Sequence, residues 1–262
     1  MPASANPTQP DFWRHPLGYR PAPDLLQDRV ILVTGAGQGI GRVAALSFAA
    51  HGAAVALHGR SVEKLEAVYD EIVAAGHAEP AIAPLDLATA TDRDFDALAF
   101  NIKKTFGRLD GILHNATHGP RPSPLAQQSL DDWLGLLRVN LAAPFALTRA
   151  CLPLLKAAED GAVVLTLESH GHSPAAYWGG FGVAKHGLEA YLAIQAQEWE
   201  GLPGPRINGL IPGPVRSPQR SRTHPGEDTA ALPRPDALMP AYLLLLGPDS
   251  RGVSGRILAL RS

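Results

Sequence analysis

Gly35, Gly39 and Gly41, in the stretch VTGAGQGIG, have the residue type and spacing to hold a dinucleotide. Gly35 permits a tight turn, Gly39 leaves room for a pyrophosphate to approach the backbone, and Gly41 lets helix and strand pack closely. The helix that follows offers unpaired N–H groups and a partial positive charge to the phosphates. A purely structural turn would account for the glycines alone. It would not account for their place after a strand and before a helix. The second strand ends VALHGRS, with Gly59 and Arg60 where an acid would bond a ribose 2′-hydroxyl. A guanidinium suits a 2′-phosphate, so NADP(H) is favoured and NAD(H) is the alternative. Gln38, in the turn itself, adds no charge. A solvated loop arginine is the other reading of Arg60.

These residues need a scaffold, and the rest of the chain predicts one. Apolar β-branched runs suggest strands at Val30–Thr34, Ala54–His58, Ala81–Leu85, Gly111–His114, Ala162–Leu167, Arg206–Leu210 and Arg256–Leu260. Helical patterns lie between them, near 39–51, 61–75, 91–106, 127–157, 178–200 and 235–247. Alternation of this kind predicts an α/β fold, a single Rossmann-type doubly wound parallel sheet of about seven strands with helices on both faces. The polar, proline-rich segment 216–236 reads as a mobile loop at the carboxyl edge of the sheet, where such folds bind ligands.

Bulk properties narrow the function classes. The 262 residues are 45% hydrophobic and 18% charged, as expected of a globular protein. A net charge of −2 gives no bulk reason to bind nucleic acid or acidic membranes. No apolar run is long enough to span a bilayer. Residues 1–24 are proline-rich and lack an apolar signal core, so they read as a flexible arm before a domain at 25–262, and the cytoplasm is the expected compartment. Phe12, Trp13 and Tyr19 could tack that arm to the surface; a mobile tail is the alternative. The single cysteine, Cys151, cannot form an internal disulfide and reads as a core residue.

Several motifs, in order, resemble those of the short-chain dehydrogenases/reductases over about residues 25–260. Thr34-Gly35, then Gly39-Ile40-Gly41, matches that family's cofactor turn. Asp86-Leu87 matches its adenine-holding pair. His114-Asn115-Ala116 matches the Asn-Asn-Ala-Gly after the fourth strand, with Thr117 in place of glycine. Asn140 matches the family's helix asparagine. Asn208 and PGPVRS, from Pro212 through Gly213 and Val215 to Ser217, match the segment that holds the nicotinamide amide. There Val215 would use its backbone, and Ser217 replaces the usual threonine. DLLQDRVILVTGAGQGIGR, LDGILHNA and WGGFGVAKHGLE are similar to the phrasing of a bacterial YciK-like subgroup. The resemblance implies an oxidoreductase acting on a small-molecule carbonyl or alcohol.

It also implies a proton-handling tyrosine, a lysine four residues later that bonds the nicotinamide ribose, a serine that holds the substrate oxygen, and an asparagine that orders a water. The lysine maps to Lys185 and the asparagine to Asn140. The tyrosine position holds Phe181 and the serine position Glu168, with Ser169 one residue further on. A phenyl ring has no proton to give, and positioned acid–base catalysis is worth about 100- to 10,000-fold in rate. Three readings follow. In the first, Tyr177, one helical turn before Phe181, or Glu168 supplies the acid; a carboxyl among apolar rings can have a raised pKa. Tyr177 reads more simply as a loop or interface aromatic, and Glu168 could instead pair with Lys185. In the second, the chain binds NADP(H) without catalysis, as a sensor. In the third, a catalytically inactive subunit assembles into a homo-oligomer, a dimer or tetramer. That assembly would use helices 127–157 and 178–200, the second carrying Leu188, Tyr191, Leu192 and Ile194. Packing of those residues within the subunit fits the spacing equally.

His170 and His172, in SHGHS, lack the partners a metal site needs, so no metal is expected; either could contact a substrate. Arg216, Arg220, Arg222 and His224 read as a locally paired loop cluster that could meet an acidic substrate. Asp131 and Asp132 read as helix-capping acids.

Overall fold

Seven short aliphatic runs, bounded by glycine, proline and polar turns, form strands. They are β1 Val30–Thr34, β2 Ala54–Gly59, β3 Ala81–Pro84, β4 Gly111–His114, β5 Ala162–Thr166, β6 Arg206–Ile211 and β7 Ile257–Ala259. In the computed structural model, which describes residues 18–260, they pair in parallel in the order β3-β2-β1-β4-β5-β6-β7. The chain winds outward in both directions from the junction of β1 and β4, so their carboxyl ends frame a crevice.

Nine α-helices are described: α1 Gly39–Ala50, α2 Val62–Ala74, α3 Asp92–Phe106, α4 Leu130–Leu137, α5 Ala143–Ala157, α6 Ser169–His172, α7 Gly179–Glu198, α8 Pro218–Thr223 and α9 Met239–Leu246. Every residue of β1 and β5 is buried, because helices cover both faces of the sheet. On one face Phe48, Leu65 and Tyr242 of α1, α2 and α9 pack with Ile31, Val33 and Leu57. On the other, Phe95, Leu147 and Leu188 of α3, α5 and α7 pack with Leu32, Ile112 and Val163. The parallel, doubly wound architecture agrees with the expectation from the sequence.

Two local expectations change, and two alternatives left open by the sequence are decided. The helix expected over 127–157 is not one regular helix. A wide π turn at Arg138–Ala142 separates α4 from α5, and Asn140 sits in it. Pro144, in the first turn of α5, withholds an N–H from the regular ladder, which is a physical reason for the wider turn. The segment 216–236 contains α8 and is tied down. Arg220 pairs with Glu227, and Arg216 donates to the carbonyls of Thr229 and Ala230. In α7, Leu188 and Leu192 belong to the subunit's own core, while Val183 and Ile194 are exposed. Tyr19, one of the residues that could tack the segment before Leu25 to the surface, is buried and its hydroxyl donates to Asp249 at 2.6 Å. Phe12 and Trp13 lie outside the described residues.

Cys151 is a buried free thiol whose pKa burial pushes up to about 12. No helix among the described residues is long and apolar enough to cross a membrane.

Candidate functional site

A cavity of about 530 Å³ opens along the carboxyl ends of the strands. Thr34 ends β1, and its hydroxyl ties the crevice together. It accepts from the N–H groups of Asn115 and Ala116 at 2.9 and 3.0 Å and donates to Leu113 O. The turn after β1 runs through Gly35, whose φ of +71° favours glycine. A side chain at Gly41 would run into the backbone of Gly35 and the Asn115 amide. Gln38 precedes α1 but makes no side-chain cap, and the first turn of α1 holds no acid. Its leading N–H groups are therefore left to an anion, and the cradle fits a dinucleotide's phosphates.

Beyond the turn, Arg60 lines the cavity and makes no ion pair among the described residues. Lys64, also lining it, donates to Gln38 Oε1 at 2.7 Å. The sequence reading missed Lys64, although its place in the first turn of α2, four residues after Arg60, was a usable signal. Asp86 accepts from Ala88 N–H at 3.0 Å, and Leu87 beside it is buried. Both line the cavity, as do Gly39, Ile40, Asn115, Ala116, Pro212, Gly213, Val215 and Ser217. Ser217 caps α8 by accepting from Arg220 N–H. Thus the structure brings nearly all the expected cofactor-binding positions to one groove. Thr34 and Gly41 stand behind it, as supports of its wall.

His58, at the floor of the groove, and His114, behind it, are both buried. Thr34 pairs with His58 across β1 and β2, while His114 closes β4 on the other side. Neither ring nitrogen of His58 reaches another residue. Burial lowers its pKa to about 4, outweighing a contact with its own backbone. His114 Nε2 meets Thr148 Oγ1 at 2.8 Å. Its pKa falls to about 3, through burial first and then His58 and Lys185. Above the ordinary histidine pKa of about 6.5, both rings are neutral whether the chain is folded or not. Below it, the unfolded chain takes up protons that the folded chain refuses. Stability therefore falls as pH drops from about 6.5 toward 4, at up to about 1.4 kcal/mol per pH unit for each histidine. Urea denaturation at stepped pH will show this slope. His58→Leu will flatten it, and an unchanged slope would show that burial at His58 does not govern it.

At the far end stand the residues of greatest interest. Lys185 Nζ donates to Thr166 O at 2.8 Å. Burial lowers the pKa of Lys185 to about 8, against the attraction of Glu168. Phe181 is wholly buried, with Lys185 Nζ 5.8 Å from its ring centroid, and it lines the cavity beside Trp178. Trp178 stacks on His170 with centroids 3.9 Å apart. It was not singled out in the sequence, although it opens the helix expected over 178–200.

Glu168 opens α6 and lines the cavity. Its Oε1 accepts from Ser169 N–H and Ser169 Oγ, at 3.0 and 2.8 Å, with His170 Nδ1 at 3.4 Å. The Ser169 hydroxyl is thereby committed to Glu168. Asn140 is buried and held by the loop after β4. Its amide donates to His118 O and Leu136 O, and its oxygen accepts from Thr117 Oγ1. Asn140 does not line the cavity; Val139 beside it does.

The expected helical turn between Tyr177 and Phe181 is corrected. Helix α7 begins at Gly179, after Tyr177, which has a left-handed φ of +73°. Tyr177 is exposed and does not line the cavity. His172 also points away, toward Glu189. Of the basic cluster, Arg220 is paired with Glu227, whereas Arg222 lines the cavity near Gly119.

Comparison with known proteins accords with this geometry. The short chain dehydrogenase family matches residues 29–228. An uncharacterized oxidoreductase of Escherichia coli K12, YciK, is 40% identical over 237 residues, 90% of this chain and 93% of that protein. A short-chain dehydrogenase of Escherichia coli CFT073, solved in complex with NADPH, superposes with a TM-score of 0.88 at 40% identity, over 91% of this chain and 99% of that one. Another, from Shigella flexneri 2a, was solved with NADP at a TM-score of 0.88 and 39% identity, over 91% and 99% of the two chains. Matched over residues 29–228 by the family and over 90% of its length by a relative 40% identical to it, the chain belongs to the short-chain dehydrogenase family.

Proposed function

We propose that this chain is an NADP(H)-dependent oxidoreductase acting on a small-molecule substrate, in which ordinary carbonyl and alcohol chemistry is weak or altered. The observation that carries the second half is Phe181. A buried phenyl ring stands beside Lys185, at the position where the family resemblance leads one to expect a phenol. Bound NADP(H) would supply or accept the hydride. The N–H groups opening α1 would hold its phosphates, and Arg60 with Lys64 the 2′-phosphate. Asp86, Leu87, Asn115 and Ala116 would hold the adenine side. Lys185 would bond the nicotinamide ribose, and Pro212, Gly213, Val215 and Ser217 would hold the carboxamide end. Asn140 would fix the loop at 117–118 from behind. Glu168 and Ser169 would meet the substrate.

A non-catalytic role as an NADP(H) sensor is the second reading, and the missing phenol favours it. The exposed apolar side chains Leu134, Phe145, Val183 and Ile194, on α4, α5 and α7, support a homo-oligomer.

Calorimetric titration tests the cofactor reading. NADPH will bind more tightly than NADH, and Arg60→Ala will weaken NADPH by about 10-fold or more while leaving NADH unchanged. Equal affinities for the two cofactors would remove Arg60 from the site. Failure of both to bind would leave a fold kept for its surface.

A further inference from the structure

We infer that the groove takes an anionic substrate, one whose carboxylate is held by the guanidinium of Arg222 where helix α8 meets the loop after β4. This rests on the reading of the groove as an NADP(H) site and names the class of molecule that would lie beside the cofactor. The first observation is the balance of charge. Among the described residues, Asp86 and Glu168 are the carboxylates that line the cavity, against Arg60, Lys64, Lys185, Arg220 and Arg222. Glu168 is already balanced. It attracts Lys185, and it is among the lesser causes that keep Arg220 charged, after the hydrogen bond of Arg220 to Glu227.

The second observation is that Arg222 is left over. Lys185 donates to Thr166 O, and Arg220 donates to both carboxylate oxygens of Glu227, at 2.5 and 2.6 Å. Arg216 is engaged with the carbonyls of Thr229 and Ala230. Arg222 is exposed, and it makes no hydrogen bond or ion pair among the described residues. It is therefore the cation at this end of the cavity whose donors are open to a ligand.

The third observation is its placement. Pro218, at the start of α8, comes 3.5 Å from where a Cβ on Gly39 would stand. Arg222 Nη2 comes 3.6 Å from where a Cβ on Gly119 would stand. Helix α8 thus reaches from the glycine turn to the loop after β4, and Arg222 stands at the second of these. Gln219, three residues earlier, lies on the same face, reaches Gly119 as well and also lines the cavity. With glycine at 119, no side chain of that residue covers the guanidinium. A guanidinium presents a planar fork of donors that matches a carboxylate, and an amide N–H beside it can add a third bond.

The test uses phenylglyoxylate and 4-oxo-4-phenylbutanoate, two keto acids of different length. Each is set against its own amide, which keeps the shape and drops the charge. Calorimetry on the protein alone, and again with NADP⁺ present, measures binding without turnover. At least one acid will bind about 5-fold or more tightly than its amide. Added salt will shrink that preference, because Arg222 is exposed. Arg222→Gln will erase it, and Arg222→Lys, which keeps the charge but not the fork, will retain part of it. Absence of any preference for the acids, or a preference that survives Arg222→Gln, would overturn the inference. So would a loss of NADPH affinity in Arg222→Gln as large as its loss of affinity for the acid, which would place Arg222 on the dinucleotide's phosphates instead. If NADPH fails to bind the wild type while the preference for the acid stands on the protein alone, the cofactor reading falls and the anion site remains.

Discussion

Carbonyl reduction by the double variant Phe181→Tyr, Glu168→Ser will exceed that of the wild type by about 100- to 10,000-fold, the usual worth of positioned acid catalysis. The first substitution adds a hydroxyl to a ring that already lines the cavity beside the Lys185 ammonium. The second removes a carboxylate that now holds the Ser169 hydroxyl and that opposes negative charge on a substrate oxygen. Phe181→Tyr alone will recover little, because Glu168 remains. Steady-state oxidation of NADPH by simple ketones and aldehydes measures all three proteins. Full recovery in the single variant would show that Glu168 does not obstruct carbonyl chemistry.

Gly41→Val will abolish measurable NADPH binding and destabilise the fold by about 1–3 kcal/mol, the range for overpacking a rigid site. A Cβ at this position would lie 2.6 Å from Asn115 Nδ2 and 2.8 Å from Gly35 C, closer than real carbons approach. These neighbours are backbone and a short amide, so none can swing away. Either α1 shifts or the turn opens, and both displace the N–H groups proposed to hold the phosphates. Gly135→Ala is the control. Gly135 lies in α4 with nothing within 4 Å of an added Cβ, so alanine there will leave binding intact and stabilise the helix by about 0.5–1 kcal/mol. Chemical denaturation and calorimetry on both variants separate loss of fold from loss of site. Retained NADPH binding in Gly41→Val would contradict the placement of the phosphates.

Much of this was legible in the residues. Strands such as Val30–Thr34 and Gly111–His114 are short apolar runs bounded by turns, and parallel pairing buries them whole. The glycine turn was legible because its constraint is local: a positive φ at Gly35 and close packing at Gly41 leave few other residues. What the sequence hid depends on contacts between distant elements. The π turn at Asn140 continues a helical pattern without breaking its apolar face. Helix α8 has no apolar periodicity, and its Arg220–Glu227 pair needs the chain to fold back on itself. Tyr177 and Trp178 are adjacent in sequence, yet only Trp178 lines the cavity, because α7 starts at Gly179. Glu168 could be placed by counting, but its bond to the Ser169 hydroxyl could not.

The most direct measurement is the rate at which the wild-type protein, saturated with NADPH, reduces a panel of simple ketones and aldehydes. With a phenyl ring at 181 and a carboxylate at 168, every member of the panel will turn over at least about 100-fold below the common enzymatic rate of roughly 10 per second. Turnover at that ordinary rate by any member would contradict the account, and would mean that another group in the cavity delivers the proton that Phe181 cannot.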